Sequence, residues 1–552
     1  MPLLTWWAGL LLACLYIMLY ASYGIDNDDT GYILGTAHQI FLGQSLYDHI
    51  SCVKPPVSFI LHSFVFHRPF SYAPVFVDRV FSIFEVAVYS LLSAALAQRQ
   101  FRLTPGLAAL FASLCFIFSE HAFPPMGWYT IDGIFFSVLS LWFLVTGLRP
   151  GNTWMLAISG CMAVLAAGTK QSFYPIPPAL LLFALIEGKR WRAPFIMAVS
   201  MLLSALLLYR YIGMIGSTDM FWKSISAQTT LHDLLDAGIS SYIRSLLDER
   251  FLYGSWPFLI VLPLAFILEK GELRVTAIAL LICMGLFLAN IAQFYLTEAN
   301  SFQPLQLFSA LFVATCLYSV LMAIRCKGGS WLVLVAMHAI AWCASISWGY
   351  ISTILYSTPS MLTLGVILAP SFRQSAGFRL ATASILPVAL AVFWLGHQYA
   401  YSLEAPVRRS QITADMSGVS PSLRFIRGTP EQYRRYREML QIIDGEGRRP
   451  YAVLPNMPLA HVLTGTPNPI GIDWALNVET GALRQAIRER LDSSVDFALV
   501  YRHPGLAPEL PGKFGSEVTM HVRESWRLKK STDDFLVFEN PLRTGPERQE
   551  RR

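Results

Sequence analysis

Apolar runs about as long as a bilayer is thick recur through the first four hundred positions, and they limit what this chain can become. Residues 3 to 22 read LLTWWAGLLLACLYIMLYAS, enough for a helix to span lipid. About thirteen such stretches follow one another, centred near residues 12, 87, 111, 140, 160, 180, 203, 262, 283, 314, 340, 364 and 388. In lipid the backbone has no water to bond to, so segments of this kind must be helices. The 552 residues are 54% hydrophobic and 14% charged, against about a quarter charged in soluble domains. The chain reads as a polytopic α-helical membrane protein. Its first run lacks a basic leader and a small-residue cleavage site, so it reads as a retained span.

The loops separate by charge. One set carries Arg99 and Arg102, Arg149, Lys189 to Arg192, Lys270 and Arg274, Arg325 and Lys327, and Arg373 and Arg379. The other is poor in base: 23 to 75, 120 to 131, 168 to 175, 211 to 255, 294 to 304 and 350 to 359. Basic loops stay cytoplasmic. This predicts a cytoplasmic N-terminus, outer loops at 23 to 75 and 211 to 255, and an extracytoplasmic tail. The net charge of +6 is placed as topology signal, which argues against nucleic-acid binding. Eight cysteines sit mostly in apolar runs, with no CxxC or Cys/His spacing, so neither a disulfide framework nor a zinc knuckle is expected.

The division predicted is a membrane module over 1–397 and an α/β domain over 398–552. Thr429-Pro430-Glu431 is a helix start, with a capping hydroxyl and proline at the first helical position. A second helix is expected near 479 to 491, and strands at 451 to 454, 496 to 501 and 534 to 538. The terminal RTGPERQERR reads as disordered. In the outer loop, Leu231, Leu234, Leu235, Ile239, Tyr242, Ile243, Leu246 and Leu247 recur at helical spacing, which suits a helix lying in the membrane surface. It is either a packing element or a lid.

Four short stretches carry the chemistry. DNDDTGY, residues 26 to 32, places three acids where the first span ends. If the segment is helical, Asp28 and Tyr32 share a face and Asp29 points elsewhere. The plainer reading is a solvated helix cap. CVKPPVSF puts Lys54 before two prolines that fit the first turn of a new helix. There it can meet a lipid phosphate or simply snorkel. GWYTID ends on Asp132. GTKQSFYP holds Lys170 in a short loop on the base-poor side, against the topological bias, which calls for an anionic ligand or a structural acid partner.

Together these stretches resemble the GT-C class of membrane glycosyltransferases, and within it the branch of protein O-mannosyltransferases and bacterial lipid A aminoarabinose transferases. Asp28-Asp29-Thr30-Gly31-Tyr32 matches that branch's D-[DE]-x-x-Y element, and Ala37, Gly43 and Tyr47 continue its pattern. Lys54-Pro55-Pro56 matches its K-P motif, Asp132 its second-loop acid, and Thr169-Lys170 its T-K. The likeness is good over residues 1 to 190 and architectural beyond. The segment LPNMPLAHVLTG, 454 to 465, is similar to the tails of bacterial members, without an assigned role. Asp29 stands where many members have Glu.

The resemblance implies a sugar donor on polyprenyl phosphate and an acceptor that is lipid A, an envelope glycan or a protein. Asp28 and Asp29 would be catalytic, with Asp28 as base in an inverting displacement. Tyr32, Lys54, Asp132 and Lys170 would bind substrate. It also implies a bacterial inner-membrane location. A divalent cation is compatible with it, but no residue is assigned to a metal: His232, His38, His49 and His62 are the only candidates, and lone histidines are more often structural. Two other classes compete. A transporter or flippase would favour charges at mid-membrane, of which Glu85 is the main example. A non-catalytic scaffold leaves the acid and K-P motifs unexplained.

Overall fold

The computed structural model of the protein describes residues 3–26, 29–121, 126–150, 152–188, 191–228, 231–247, 256–267, 273–298, 308–346, 353–400, 407–447, 449–502 and 515–544. Helix α1 (Leu3–Tyr16) continues into a π-helical turn at Ile17–Ala21. Two short helices of the loop after the first span follow, α2 (Tyr32–Phe41) and α3 (Val57–His62). Then come α4 (Pro74–Phe101), α5 (Pro105–His121), α6 (Tyr129–Gly147), α7 (Trp154–Ala167), α8 (Ile176–Gly188) and α9 (Arg192–Ile215). Further helices cover Trp256–Ile267, Leu273–Glu298, Phe308–Arg325, Ser330–Ser345, Thr358–Gln374, Ala376–Ala383 and Ile385–Gly396.

Every expected span centre falls within one of these helices. Among the described residues, 6 helices are long and apolar enough to cross a membrane, and shorter apolar helices stand between them. The protein is a multi-pass helical membrane protein with a small C-terminal sheet domain. Helix α9 leaves Leu202, Leu203, Leu206 and Leu207 exposed, the face a helix presents to lipid. Helix α4 is the opposite case, buried along most of its length, with Asp78, Arg79 and Glu85 enclosed. Arg79 donates to the carbonyls of Ala21 (3.0 Å) and Gly24 (2.6 Å), satisfying backbone groups that the end of the first span leaves open.

In the C-terminal domain, Phe497–Tyr501 is the central strand. It runs parallel to Tyr451–Leu454 and antiparallel to Phe535–Glu539, with Arg527–Ser531 on the outer edge. The first three were expected. The edge strand RLKKS is exposed throughout, so it carries no apolar alternation by which it could be predicted. Pro430–Gly445 begins as expected, its N-terminus closed by a reciprocal capping box between Thr429 and Gln432. The helix expected at 479 to 491 begins later, as Arg484–Ser494. Gly481, at φ 45°, separates it from the short turn Asn477–Thr480. The C-terminal residues from 545 lie outside the described residues.

The amphipathic segment is helical in three pieces, Leu231–Leu235, a π turn Asp236–Ser240, and Ser241–Leu247. Ala237, Gly238 and Tyr242 are buried, and the Tyr242 hydroxyl lies 2.6 Å from Ser345 Oγ. Leu235, Ile239, Ile243 and Leu247 remain exposed. The segment is thus pinned to Ser330–Ser345 by one side and keeps an apolar side free, as a surface-lying helix requires.

The C-terminal domain folds onto the loop that follows the first span. Ile25, Leu34, Ala37, Val65, Phe66 and Val75 share one apolar core with Met416, Tyr436, Met439, Leu459 and Leu463. Backbone bonds tie the two parts, from Gly24 to Arg427 (3.0 Å), Arg427 to Ser22 (2.7 Å) and Ser51 to Gly471 (2.7 Å). The 454 to 465 segment, without a role in the sequence reading, lies over α2. At Gly35 a Cβ would stand 2.5 Å from Asp473 Oδ2 and 2.9 Å from the Pro458 carbonyl. Burial lifts the Asp473 carboxyl to about 7, against the opposing pull of the Asn468 amide.

Gly35→Ala therefore separates docking from helix propensity. Alanine favours an undocked helix by about 1 kcal/mol, whereas overpacking a tight contact costs about 1–3 kcal/mol. The expected result is a lower unfolding temperature in detergent and faster proteolytic release of the C-terminal domain. A stabilised variant would show that the loop does not rest on α2.

Candidate active site

The acid cluster forms a tight turn. The Asp26 carboxylate accepts from the Asp29 N–H at 2.7 Å, and the Asp26 N–H donates to Thr30 Oγ1 at 3.1 Å. The Tyr32 N–H donates to the Asp29 carbonyl at 3.1 Å. Gly31, with φ 96°, turns the chain into α2. The helix thus starts at Tyr32, so residues 29 to 31 do not form the helical segment on which a shared face of Asp28 and Tyr32 depended. The left-handed glycine breaks the helical path before Tyr32. Asp28 itself lies outside the described residues. Asp29 is buried.

From this turn α2 carries Tyr32 inward, where its hydroxyl donates to Glu479 Oε2 at 3.0 Å. Its ring packs against Trp474 at 4.7 Å and Trp128 at 5.7 Å between centroids. Lys54 comes from the K-P stretch and is buried, with Nζ 3.7 Å from Glu479 Oε1. Its carbonyl accepts from the Tyr47 hydroxyl at 2.8 Å, and the neighbouring Val53 carbonyl accepts from Gln171 at 2.6 Å. The backbone that presents the lysine is therefore bonded on two sides.

Lys170 arrives from the short loop after α7. It donates to the Ile346 carbonyl (2.6 Å) and to Thr130 Oγ1 (3.4 Å). Among the described residues no carboxylate is paired with it. The Lys54 and Lys170 ammonium groups lie 5.7 Å and 5.3 Å from the centre of the same ring, that of Tyr129. A ring face attracts cations, so Tyr129 lets two like charges approach in a low-dielectric place. Burial, and secondly the charge of Lys54, lower Lys170 to about 7. The arrangement is suited to an anion: two cations converge, with one carboxylate, Glu479, shared between Lys54 and Tyr32.

Asp132 is placed elsewhere. Three residues along α6 from Tyr129, it faces His62 Nε2 at 3.1 Å, while His62 Nδ1 lies 2.5 Å from Asp78 Oδ1. His62, Glu85 and Asp132 offer ligand atoms within 4.8 Å of one another, a group that could hold a metal ion. The structure thus brings Tyr32, Lys54 and Lys170 together and sets Asp132 in an adjoining buried cluster.

Sequence reasoning missed Glu479, Trp474 and Tyr129. Tyr129 stood within the GWYTID stretch, and aromatic residues beside an expected cationic site were a usable signal. Glu479 had none, being 447 residues from the tyrosine it bonds.

Comparisons with known proteins place the chain beside a few solved structures. No protein-family model matches it, and no curated protein does. It is similar to the archaeal oligosaccharyltransferase AglB from Archaeoglobus fulgidus in complex with an inhibitory peptide and a dolichol-phosphate. That match has 13% identity, covers 90% of this chain and 69% of that one, and has a TM-score of 0.48. It is also similar to ArnT from Cupriavidus metallidurans in the apo state, at 11% identity, 98% of both chains and a TM-score of 0.45. ArnT bound to undecaprenyl phosphate gives 12% identity, 98% and 97% coverage, and a TM-score of 0.41.

The Lys170 shift fixes a sign. Below pH 7 the lysine is protonated both in the folded chain and in the unfolded one. Between about 7 and 10.5 only the unfolded chain keeps the proton, so stability rises with pH across that window. Lys170→Met removes the term. The unfolding temperature of the wild type, relative to this variant, is expected to rise from pH 7 to pH 10. A flat difference would show that Lys170 titrates normally.

Proposed function

We propose that this protein is a membrane glycosyltransferase that moves a sugar from a polyprenyl-phosphate donor to an extracytoplasmic acceptor. The observation that carries this reading is the pair of buried lysines on one tyrosine ring, beside an acid-rich turn at the end of the first span. A polyprenyl tail stays in lipid while its phosphate reaches the level where such a span ends. There Lys54 and Lys170 can take the phosphate charge, and Glu479 would yield Lys54 to it.

In the proposed reaction the acceptor hydroxyl oxygen attacks the anomeric carbon as the bond to the phosphate oxygen breaks. Polyprenyl phosphate leaves with the electron pair, and Asp28 takes the hydroxyl proton. The configuration at the anomeric carbon inverts. Phosphate needs no strong acid to leave; it needs its growing charge stabilised, which fixed cations in a dry site do well. Tyr32 and Asp29 hold the turn and the sugar side of the cleft. Asp132 acts through α6, by positioning Tyr129 and Thr130.

The remaining parts of the reading are a bacterial inner membrane, a cytoplasmic N-terminus, a membrane module over 1–397 and a periplasmic domain over 398–552. The acceptor is lipid A, an envelope glycan or a protein. The buried His62 cluster favours a second reading, proton-coupled transport of an anionic or lipid-linked substrate. Uptake into sealed vesicles without chemical change in the substrate would select it.

The test uses wild type, Asp28→Asn and Lys54→Met in liposomes with a panel of polyprenyl-phosphate sugars and extracted envelope, followed by mass spectrometry. Loss of the base is expected to slow transfer about 10²–10⁴-fold, and loss of Lys54 about 10²–10³-fold. Full transfer by a folded Asp28→Asn variant would sink the proposal.

A further inference from the structure

Beside the Tyr129 ring lies a cluster of which the proposed transfer uses only Asp132, as a positioning residue. His62 closes α3, Asp78 and Glu85 come from α4, and Asp132 from the first turn of α6. All four are at most 2% exposed. Asp78 is anchored, since its Oδ1 meets His62 Nδ1 and its Oδ2 accepts from the Gly127 N–H at 2.7 Å. The backbone at Gly127 comes so close that a Cβ there would stand 2.5 Å from His62 Cε1 and 2.7 Å from Asp78 Oδ1. Of the other two, Asp132 meets His62 Nε2 through Oδ1 alone. Both oxygens of Glu85, and Oδ2 of Asp132, are buried without a hydrogen-bond partner. Buried carboxylates of this kind are satisfied either by a proton held between them or by a cation.

We propose that His62, Glu85 and Asp132 bind one zinc ion, with Asp78 holding the imidazole. Three features fit. Asp78 at Nδ1 and Asp132 at Nε2 give the carboxylate–histidine–metal arrangement once the ring gives its Nε2 lone pair to the ion and keeps Nδ1–H for Asp78. The Nε2 to Asp132 Oδ1 distance of 3.1 Å is close to the edge of a zinc tetrahedron, about 3.3 Å for bonds of about 2.0 Å. Glu85 closes the set without giving up any bond of its own. One imidazole with two carboxylates, in a dry interior, suits zinc; magnesium asks for six oxygens and keeps its waters.

The ion is a strut. It joins α3, α4 and α6, and α6 carries Tyr129 and Thr130 toward the lysines. The site stands independently of the transfer reaction, so its test needs no substrate. The full-length protein, purified in detergent and stripped with a chelator, is reloaded with zinc or magnesium. Metal content, unfolding temperature and the zinc X-ray absorption edge are then measured. The expected result is about one zinc per chain with only nitrogen and oxygen ligands, and a higher unfolding temperature with zinc than with magnesium. Asp473→Asn retains the ion, Asp78→Asn binds it about 10–100-fold more weakly, and Glu85→Gln and His62→Gln lose it. Three results would overturn the proposal: no stoichiometric zinc on the wild type, sulfur in the absorption spectrum (the chain has eight cysteines), or undiminished zinc on folded Glu85→Gln. If the ligand variants fail to fold, the wild-type stoichiometry and spectrum decide alone.

Discussion

The contact on which the site depends is the one that Glu479 makes with Lys54 and Tyr32. A lysine buried at 4% exposure is untenable without a partner. Here the carboxylate is supplied from the C-terminal domain, across the whole length of the chain. Docking of that domain therefore brings Lys54 a carboxylate. The domain adds Trp474 to the membrane module's apolar core and sets its ring against Tyr32. What looks from the sequence like an appended tail forms the roof of the pocket.

Electrostatically the pocket is poised. Lys54 has a carboxylate within reach, and Lys170 has only the neutral oxygens of Ile346 and Thr130 as described partners. The Tyr129 ring, which faces both ammonium groups, softens the repulsion between the lysines. An entering phosphate would take over the role of Glu479 at Lys54 and offer Lys170 the counter-charge it lacks. Binding of the anion thus restores the ordinary proton affinity of Lys170 at the moment when its charge is needed.

Much of this was readable in advance, because lipid leaves few choices. Apolar length placed the helices, and two of the lysines singled out at loop ends, Lys54 and Lys170, do converge. The Thr429 cap and three strands followed from local chemistry. What was not legible was non-local or sterically subtle. No periodicity links Glu479 to Tyr32. Gly31 could be read as part of a helix until its left-handed turn was seen. Asp132 was correctly noticed as an acid at a span end, but which way it faced depended on His62, Asp78 and Glu85. The edge strand Arg527–Ser531 is polar on both sides and gives no pattern.

The shared core between the loop after the first span and the C-terminal domain also sets a schedule for synthesis. Ile25, Leu34, Val65 and Phe66 leave the ribosome early, but Met416, Tyr436 and Leu459, which cover them, are made more than three hundred residues later. At about 5–20 residues per second, the loop waits on the order of 20–90 s with its apolar side uncovered. During that interval the protein has a half-built surface at the membrane face. Until the last quarter of the chain arrives, nothing within this protein's own sequence covers that surface.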